Sequence, residues 1–513
     1  MPLNVLSFIG IFALCGIAWL TSEQRRLIPW RTIAWGIGLQ LILGLLVFQV
    51  PVTRAIVEVI SNSVNAILDA TEAGSRFVFG EVLVPDLSAT PGPVLAGRWI
   101  ARAVKPPYVA VPGDFLDTNV LRLGYVFAFR ALPSVIFFSA LMSLLYALGL
   151  IQPLVNLFAR IFQRTMRLSG AEALSGASNI FVGIESALVV RPYLERMTRS
   201  ELCAILASCF GSIASTVLAL YAGWLRPVFP NITGHLVSAS IMAIPACFVL
   251  AKIIVPETET PATMGLRLVE SSNAEITVDP PVVSQFEATI ASEQTSVVAS
   301  PDAAVSLGTP ASPDPSSEIL NPMESIVVGA LDGVKLAVAI AALLIAVLGL
   351  VELVNLFFAN LAGLSNSSQA VISAFGRMFR VITLENILGA LFLPLTVLTG
   401  VSLKWTELWQ ASLLIGQRLL VTEIPSYQQL ADLASQGVLS DRALLVTSYA
   451  LCGFAHIPSW GIFVGGFVSL VPSRRADITD ISWKALWAAT LATLMIGCIA
   501  GLYDTGNPSI LGR

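Results

Sequence analysis

Two carboxylates, Glu185 and Glu423, lie inside stretches of sequence that are otherwise apolar. Glu185 belongs to "ASNIFVGIESALVVRPYL" (177–194), and Glu423 belongs to "LLIGQRLLVTEIPSYQQL" (413–430). A charged side chain in the middle of a bilayer costs at least about 2.5 to 3.5 kcal/mol on insertion scales, so it needs a partner or a water-filled cavity. We therefore interpret both residues as parts of a site for a polar ligand or an ion. A buried hydrogen bond or ion pair that holds a hairpin together, such as Glu423 with Arg418, is the alternative.

Neutral oxygen atoms accompany the carboxylates. Asn179, Ser212 and Ser215 lie beside positions where the pattern predicts an interrupted helix. Hard cations such as Na⁺ take oxygen ligands of this kind at the ends of half-helices. Ordinary interhelical hydrogen bonds, worth about 0.6 to 2 kcal/mol, are the alternative. His456, in a second interruption, is able to bind a ligand or to titrate, and a hydrogen-bonded core histidine is the alternative there.

The composition is that of an integral membrane protein. Of the 513 residues, 55% are hydrophobic and only 12% are charged, against roughly 25% charged residues in soluble domains. The net charge of −4 gives no reason to expect a nucleic-acid partner, which normally requires a basic stripe. The sequence motifs of zinc proteases, serine hydrolases and P-loop enzymes are missing. We therefore expect neither an enzyme nor a bound cofactor.

Apolar runs of about 20 residues recur along the chain, long enough to cross a hydrocarbon core of roughly 30 Å as helices. We predict an all-α, multi-pass fold surrounded by membrane lipid, with about eight transmembrane helices and two re-entrant hairpins in inverted repeats. Arginine clusters fall on one face, which the positive-inside rule makes cytoplasmic. The predicted spans are 4–20, 31–50, 122–149, 202–222, 234–254, 326–356, 443–470 and 482–503.

The hairpins follow from the basic residues that flank them. The segment between Arg167 and Arg191 is long enough for one crossing, yet both of its ends carry cytoplasmic basic clusters, so it must enter the membrane and turn back. The segment 413–430 repeats this arrangement from the opposite side. Each hairpin precedes a span with a polar interruption, "CFGSIAST" (209–216) or "CGFAHIPS" (452–459). Paired hairpins and broken helices are typical of secondary transporters that bind their substrate near the midplane.

A stretch rich in Pro, Ser, Thr and acidic residues separates the two halves, and we predict a disordered cytoplasmic linker there. The predicted division is 1–80 for N-terminal scaffold helices, 81–121 for an extracytoplasmic loop, 122–168 for a scaffold helix and an interfacial helix, 169–255 for the first transport repeat, 256–322 for the linker, 323–400 for a scaffold helix and an interfacial segment, and 401–513 for the second transport repeat.

The sequence resembles the concentrative nucleoside transporter family along most of its length, apart from 81–118 and the linker. The resemblance rests on "WLTSEQRRLIPWRTIAWGIGLQ", "AILDATEAGSRFVFG", "FAFRALPSVIFFSALMSLLYALGLIQPLV", "MAIPACFVLAKIIVPETE", "ALDGVKLAVAIAALL" and "SYALCGFAHIPSWGIFVGGFVSLVPSRRADIT". It implies a homotrimer in the bacterial cytoplasmic membrane. Each protomer would move a transport domain past a scaffold in an elevator-type motion and import nucleosides together with Na⁺ or H⁺.

The resemblance also implies roles for residues of the first repeat. The glutamate at the tip of the family's first hairpin, which contacts the nucleobase, corresponds to Glu185. The residues before it are reduced to Gly183 and Ile184, so the family's amide and hydroxyl groups are absent. The family's Na⁺ ligands correspond to Asn179, Val182, Ser212 and Ile213.

In the second repeat, the family's ribose-binding glutamate corresponds to Glu423, and Phe454 and Ser459 match as well, whereas His456 replaces an asparagine. A site built from hydrogen bonds rejects analogues that leave its buried groups unpaired, so these changes can alter the substrate. The sequence thus predicts a cation-coupled nucleoside symporter. The alternatives are a transporter of a different polar solute and a non-transporting receptor or gate protein. If the ion is H⁺, Glu185 or His456 would carry the proton.

Overall fold

Helices make up nearly all of the computed structural model, which describes residues 3–80, 83–84, 94–95, 121–122, 126–181, 183, 186–266, 268–270, 276–278, 321–366 and 369–512. The helices of the first half are α1 (Leu3–Leu20), α2 (Trp30–Phe48), α3 (Pro51–Phe79), α4 (Phe127–Ala147), α5 (Gln152–Met166), α6 (Gly170–Ser178), α7 (Ser186–Val189), α8 (Arg191–Leu194), α9 (Arg199–Gly211), α10 (Ser215–Leu225) and α11 (Ile232–Ile254). Those of the second half are α12 (Pro322–Gly363), α13 (Ala370–Phe379), α14 (Leu384–Leu398), α15 (Trp405–Val421), α16 (Glu423–Ser435), α17 (Asp441–Ala450), α18 (Ile457–Leu470) and α19 (Arg475–Tyr503).

Extended structure in the described residues is confined to two short pairs of strands. In the first, β1 (Val94–Leu95) runs parallel to β2 (Leu121–Arg122). In the second, β3 (Leu268–Glu270) runs antiparallel to β4 (Ile276–Val278). Both pairs belong to connecting segments, and the all-α fold class is confirmed.

Six continuous helical segments in the described chain are long and apolar enough to cross a membrane: Leu3–Leu20, Trp30–Phe48, Phe127–Ala147, Ile232–Ile254, Pro322–Asn366 and Pro472–Tyr503. A further pair, Val371–Phe379 with Leu384–Leu398, is bent by 61°. The predicted spans 202–222 and 443–470 are each divided into two helices, α9 with α10 and α17 with α18. Both divisions fall within the polar interruptions that the sequence marks.

Helix α3 is absent from the predicted spans, although it lies within residues 1–80, which we assigned to scaffold helices. Pro51–Phe79 form one helix. The face that α3 buries is polar, which explains the missed prediction. The hydroxyl of Ser61 accepts from the Gly234 amide at 2.9 Å, and Asn65 Oδ1 accepts from the Thr233 hydroxyl at 3.1 Å.

Helix α12 differs from the other long helices in its packing. Helix α12 packs mainly on α4 through a stripe of small residues spaced four apart, Ser325, Gly329, Gly333 and Ala337. A Cβ added at Gly329 would lie 2.5 Å from the Ser143 Cβ, so the two backbones touch, as small residues permit in membrane helix pairs. Only 6% of the most apolar stretch of α12 is buried, against 89% of the corresponding stretches of α11 and α19. The core therefore lies around α11 and α19.

The beginning of the predicted linker is packed. The Thr263 carbonyl accepts from the Gly170 amide at 3.0 Å, and its hydroxyl accepts from the Ala171 amide at 3.2 Å. Gln163 donates to the Leu266 carbonyl at 2.6 Å. Residues 256–266 thus cap the first turn of α6, which corrects the linker boundary at 256. Most of the rest of the predicted linker, and most of the predicted loop 81–121, lie outside the described residues.

Candidate functional site

The two broken helices meet at their interruptions. Helix α9 ends at Gly211 and α17 ends at Ala450. A Cβ added at Gly453 would lie 2.8 Å from the Gly211 carbonyl oxygen and 2.7 Å from Thr493 Cγ2. Real side chains do not fit at such distances, so the backbones of the two repeats cross here in direct contact. Side chains placed at either interruption consequently come close to the centre of the fold.

The second hairpin consists of α15 and α16, joined at Thr422. Gln417 on the first arm donates to Gln429 on the second arm at 2.6 Å, so the arms run side by side. Thr422 has φ 77° and ψ 171°, a backbone region that costs non-glycine residues about 1 to 3 kcal/mol. Its hydroxyl accepts from the Ile424 amide at 3.4 Å. This turn places Glu423 at the first position of α16.

Glu423 lies in a buried cluster that joins three elements. Its carboxylate is 2% exposed, and its Oε1 accepts a hydrogen bond of 2.5 Å from the Tyr221 hydroxyl of α10. Its Oε2 lies 2.6 Å from His456 Nε2 at the start of α18, a close contact whose angle departs from that of a hydrogen bond. The Tyr221 ring also stacks on Tyr427 at 4.4 Å. Glu423 is therefore held by both repeats at once.

The tautomer of His456 follows from its position as the N-cap of α18. Its Nδ1 accepts from the Ser459 amide at 3.1 Å, as an N-cap side chain does. A nitrogen that accepts a hydrogen bond carries no proton, so the neutral ring bears its proton on Nε2. That atom faces Glu423 and lies 3.0 Å from the Ser459 hydroxyl. The cluster thus presents one carboxylate and one imidazole N–H side by side.

Arg418 does not form the ion pair with Glu423 that we considered as an alternative. Its guanidinium is buried and donates to the Ala450 carbonyl at 2.7 Å and to the Thr493 hydroxyl at 3.0 Å. The Nε atom has no hydrogen-bond partner. Glu423 instead accepts a hydrogen bond from Tyr221 and lies beside His456. The ion pair with Arg418 is therefore absent, whereas a buried hydrogen bond to Glu423 is present.

The first hairpin begins with α6, whose N-terminus carries a capping box between Ser169 and Glu172. Helix α6 ends at Asn179, which is fully buried, and neither Oδ1 nor Nδ2 of this side chain has a hydrogen-bond partner. Leaving such groups unpaired costs about 1 to 3 kcal/mol. A buried amide without partners indicates that another group binds there.

Ser240 on α11 links the first hairpin to the interruption of α9. Its hydroxyl lies 3.5 Å from the Ile180 carbonyl and 3.5 Å from the Ile213 carbonyl. Ser212 is the C-cap of α9, and its hydroxyl donates to the Ser208 carbonyl at 2.9 Å. Two helices, α6 and α9, therefore end in the same region. Their C-terminal carbonyl groups carry partial negative charge, which favours a cation.

These oxygens are of the type that Na⁺ binds. Carbonyl and amide oxygens at the ends of half-helices are the ligands that Na⁺ takes in transporters, and the unpaired Asn179 Oδ1 is available among them. Of the four predicted ligands, Asn179, Ser212 and Ile213 are brought together in this way. Val182 lies outside the described residues, as does the side chain of Ser215.

Some of the predicted substrate residues are also brought together, and others lie outside the described residues. Glu423, His456 and Ser459 form one cluster, and the ring of Phe454 lies 6.3 Å from that of His456. Gly183 is buried, and its carbonyl accepts from the Ser186 amide at 3.1 Å. Ile184 and Glu185 lie outside the described residues. Whether the two carboxylates share one cavity therefore stays a prediction.

Sequence reasoning missed the contributions of Tyr221 and Ser240. Tyr221 is far from Glu423 in the chain, and a tyrosine in an apolar helix carries no signal of its own. Ser240 is one of two serines in α11. Their roles appear only when the elements are packed together.

Comparisons with known proteins identify the family. A sequence profile of the Na⁺-dependent nucleoside transporter C-terminus matches residues 235–501, the corresponding N-terminus profile matches 9–82, and a nucleoside-recognition gate profile matches 128–228. A protein of Haemophilus influenzae described as an uncharacterized transporter is 31% identical over 97% of both chains.

Mammalian relatives are longer than this chain. Human solute carrier family 28 member 3 is 30% identical over 98% of this chain but only 60% of its own length. Mouse sodium/nucleoside cotransporter 1 is 30% identical over 98% of this chain and 64% of its own. The chain thus spans less than two thirds of these two relatives.

Solved structures agree with this assignment. CNTnw in an inward-facing, substrate-bound state is 30% identical and has a TM-score of 0.73, covering 98% of this chain and 99% of the other. A doubly substituted variant of CNTnw in an outward-facing state also gives a TM-score of 0.73. From the profile matches and the relatives together, this chain belongs to the Na⁺-dependent nucleoside transporter family.

Proposed function

We propose that the protein is a Na⁺-coupled symporter that imports nucleosides across the bacterial cytoplasmic membrane. The observation that carries this proposal is the buried cluster of Glu423, Tyr221, His456 and Ser459, which joins hairpin, broken helix and opposite repeat at the centre of the fold. A carboxylate kept at that depth is a functional group by default. Membership of the family supports the same substrate class.

The substrate contacts follow from the chemistry of the cluster. A sugar hydroxyl donates to the Glu423 carboxylate and accepts from the Nε2–H of His456, because each hydroxyl is both a donor and an acceptor. The Ser459 hydroxyl, 3.0 Å from Nε2, binds a neighbouring oxygen. The ring of Phe454 packs against the base, and the family resemblance assigns Gly183, Ile184 and Glu185 to the substrate as well.

The coupling ion binds where α6 and α9 end. Asn179 Oδ1, the Ser212 side chain, and the Val182 and Ile213 carbonyls serve as ligands, and the unpaired Asn179 amide supports this assignment. One positive charge moved down a potential of 100 mV supplies about 2.3 kcal/mol, which is enough for roughly fifty-fold accumulation. If H⁺ replaces Na⁺, Glu185 or His456 carries the proton.

Alternating access moves the two repeats past a scaffold that includes α4 and α12 in an elevator-type motion, within a homotrimer. Helix α12 packs mainly on α4 and is little buried, which supports its assignment to the scaffold. Relatives solved in outward-facing, intermediate and inward-facing states support the motion.

Transport into vesicles tests the proposal. Labelled uridine and adenosine are offered to proteoliposomes with an inward Na⁺ gradient, with a K⁺ gradient and with no gradient. Accumulation that requires Na⁺ supports the proposal. Transport driven only by a proton gradient replaces Na⁺ by H⁺.

A second candidate function rests on His456. Because this residue replaces an asparagine of the family, the cluster offers a single N–H donor where an amide offers both a donor and an acceptor. A different polar solute, or a non-transporting receptor on the same fold, is therefore the runner-up. Purified protein that is folded but transports neither nucleoside, with or without Na⁺, would favour this second candidate.

A further inference from the structure

The two repeats end their first half-helices in corresponding positions. Helix α9 follows the first hairpin and ends at Gly211, and α17 follows the second hairpin and ends at Ala450. The last carbonyl groups of any α-helix lack partners within the helix and together carry about half a negative charge. Each buried helix end therefore needs donors or a cation.

In the second repeat, side chains of the second hairpin supply these donors. Arg418 Nη1 donates to the Ala450 carbonyl at 2.7 Å, and the Tyr427 hydroxyl donates to the Ser448 carbonyl at 2.7 Å. The Arg418 guanidinium, 1% exposed, also binds the Thr493 hydroxyl. No ion pair between Arg418 and a carboxylate is present in the described part of the chain. The helix end thus supplies hydrogen-bond acceptors for the buried guanidinium.

In the first repeat, the corresponding end is bonded by neutral hydroxyls. Ser212 Oγ donates to the Ser208 carbonyl at 2.9 Å, and Ser240 Oγ approaches the Ile213 carbonyl at 3.5 Å. The adjacent Asn179 amide has no hydrogen-bond partner at either atom although it is fully buried. The helix end of the first repeat thus lies beside an unpaired oxygen, Asn179 Oδ1, whereas that of the second repeat is bonded by a guanidinium.

We infer that Arg418 is a tethered cation that occupies, in the second repeat, the position that Na⁺ takes in the first. The inference rests on the proposed function, since it adopts the Na⁺ site at Asn179 as its counterpart. Two consequences follow. The protein binds a single Na⁺ per chain, and removal of the guanidinium uncovers a latent cation site between the Ala450 carbonyl and the Thr493 hydroxyl.

A Na⁺ titration of thermal unfolding tests the inference on the purified full chain in detergent, with choline as the balancing cation. The wild type is compared with Arg418→Gln, whose amide keeps one donor but no charge, and with Arg418→Lys, which keeps the charge. We expect the slope of the free energy of unfolding, in units of RT, against ln[Na⁺] at saturating Na⁺ to be about 1 for the wild type and for Arg418→Lys, and about 2 for Arg418→Gln, because each bound ion adds its own stabilisation.

A merely structural role for Arg418 gives a different result. If the arginine only joins α15 to α17 and α19, Arg418→Gln lowers the melting temperature equally in Na⁺ and in choline and leaves this slope unchanged. That outcome overturns the inference. A wild-type slope of about 2 also overturns it, because two ions would then bind with the guanidinium in place, and this measurement is available even if Arg418→Gln does not fold.

The failure of this inference is distinguishable from failure of the proposed function. A wild type that ignores Na⁺, together with an Arg418→Gln variant that responds to it, supports the tethered cation and contradicts Na⁺ coupling. A wild-type response that Asn179→Leu abolishes and Arg418→Gln leaves unchanged contradicts the tethered cation and supports Na⁺ coupling.

Discussion

The two hairpins differ in how the buried polar groups at their tips are hydrogen-bonded. At the tip of the second, Glu423 accepts a hydrogen bond from Tyr221 and contacts His456, and Arg418 bonds the adjoining helix end, although Glu423 Oε2 and Arg418 Nε have no hydrogen-bond partner. The first ends in Asn179, whose amide is buried with no hydrogen-bond partner at either polar atom. The polar groups at the second tip are thus largely paired within the protein, and the side-chain amide at the first tip is not.

The two hairpins have a similar architecture, but this difference suits them to different tasks. A preformed hydrogen-bonded cluster fixes the orientation of a carboxylate before the substrate arrives, which lowers the cost of binding. An unsatisfied site gains its stability only when the ion binds, so ion binding and ordering of the first hairpin are linked. In the proposed function, the second hairpin therefore recognises the substrate, and the first binds the ion.

The largest predicted effect on uptake comes from neutralising Glu423 at the tip of the second hairpin. Glu423→Gln turns one acceptor oxygen into a donor that faces the Tyr221 hydroxyl or the His456 N–H. Loss of the charge-assisted hydrogen bond from Tyr221 and of the charged contact with His456, about 3 kcal/mol together, corresponds to a decrease in uptake kcat/KM of roughly 100-fold. Initial rates of uridine uptake in proteoliposomes measure it. Glu407→Gln is the matched control, since Glu407 lies on the same hairpin but is bonded to Lys404 and Ser440. Equal losses in both variants would remove the special role of Glu423.

The crossing of the two repeats is the next target. Gly453→Ala places a methyl group 2.8 Å from the Gly211 carbonyl oxygen, and such overpacking lowers the free energy of unfolding by about 1 to 3 kcal/mol. Thermal unfolding in detergent measures the loss. Gly223→Ala is the control, because nothing lies within 4 Å of a Cβ at that helical position, and it should leave stability unchanged or raise it. If the two variants unfold alike, the close contact between the repeats is wrong.

Replacement of Asn179 at the tip of the first hairpin should raise stability and weaken the response of transport to Na⁺. Asn179→Leu preserves the shape of the side chain and removes its unpaired polar atoms, so the free energy of unfolding without Na⁺ should rise by about 1 kcal/mol. Loss of one ligand should raise the Na⁺ concentration for half-maximal uptake about tenfold. Ser178→Ala, next to it, should change neither. An unaltered Na⁺ dependence in Asn179→Leu would exclude this residue from the ion site.

The smallest effect concerns the cap of α18. His456→Asn retains an oxygen that can accept from the Ser459 amide and an N–H that can face Glu423, so uptake should fall by only about threefold, the value of a weakened hydrogen bond. Competition by deoxynucleosides measures whether sugar recognition changes as well. His456→Leu, which has neither group, should lose far more, and equal losses in the two variants would contradict a hydrogen-bonding role.

Much of the architecture is readable from the sequence because apolar length and polar interruptions are local signals. The interruptions at 209–216 and 452–459 were predicted from glycine and small polar residues, and both helices break there. Helix α3 was missed because its buried face carries Ser61 and Asn65, so hydropathy gives no peak. Local patterns thus identify apolar helices better than helices whose buried face is polar.

The partners of each functional side chain depend on packing between distant segments. The sequence places Arg418 five residues before Glu423 and so suggests an ion pair, yet the guanidinium binds Ala450, which becomes available only because α17 ends there. Tyr221 donates to Glu423 from the other repeat. The acidic residue was predictable from its cost in a membrane, whereas its neighbours were not.

Thr263 has a practical consequence for cutting the chain. It binds two backbone amides at the start of α6 from a segment that the composition assigns to the linker. A deletion that starts at 256 would strip the first hairpin of this distant cap, whereas one confined to 279–320 leaves it in place. Shortened versions of the protein for crystallisation should therefore retain everything up to Leu266.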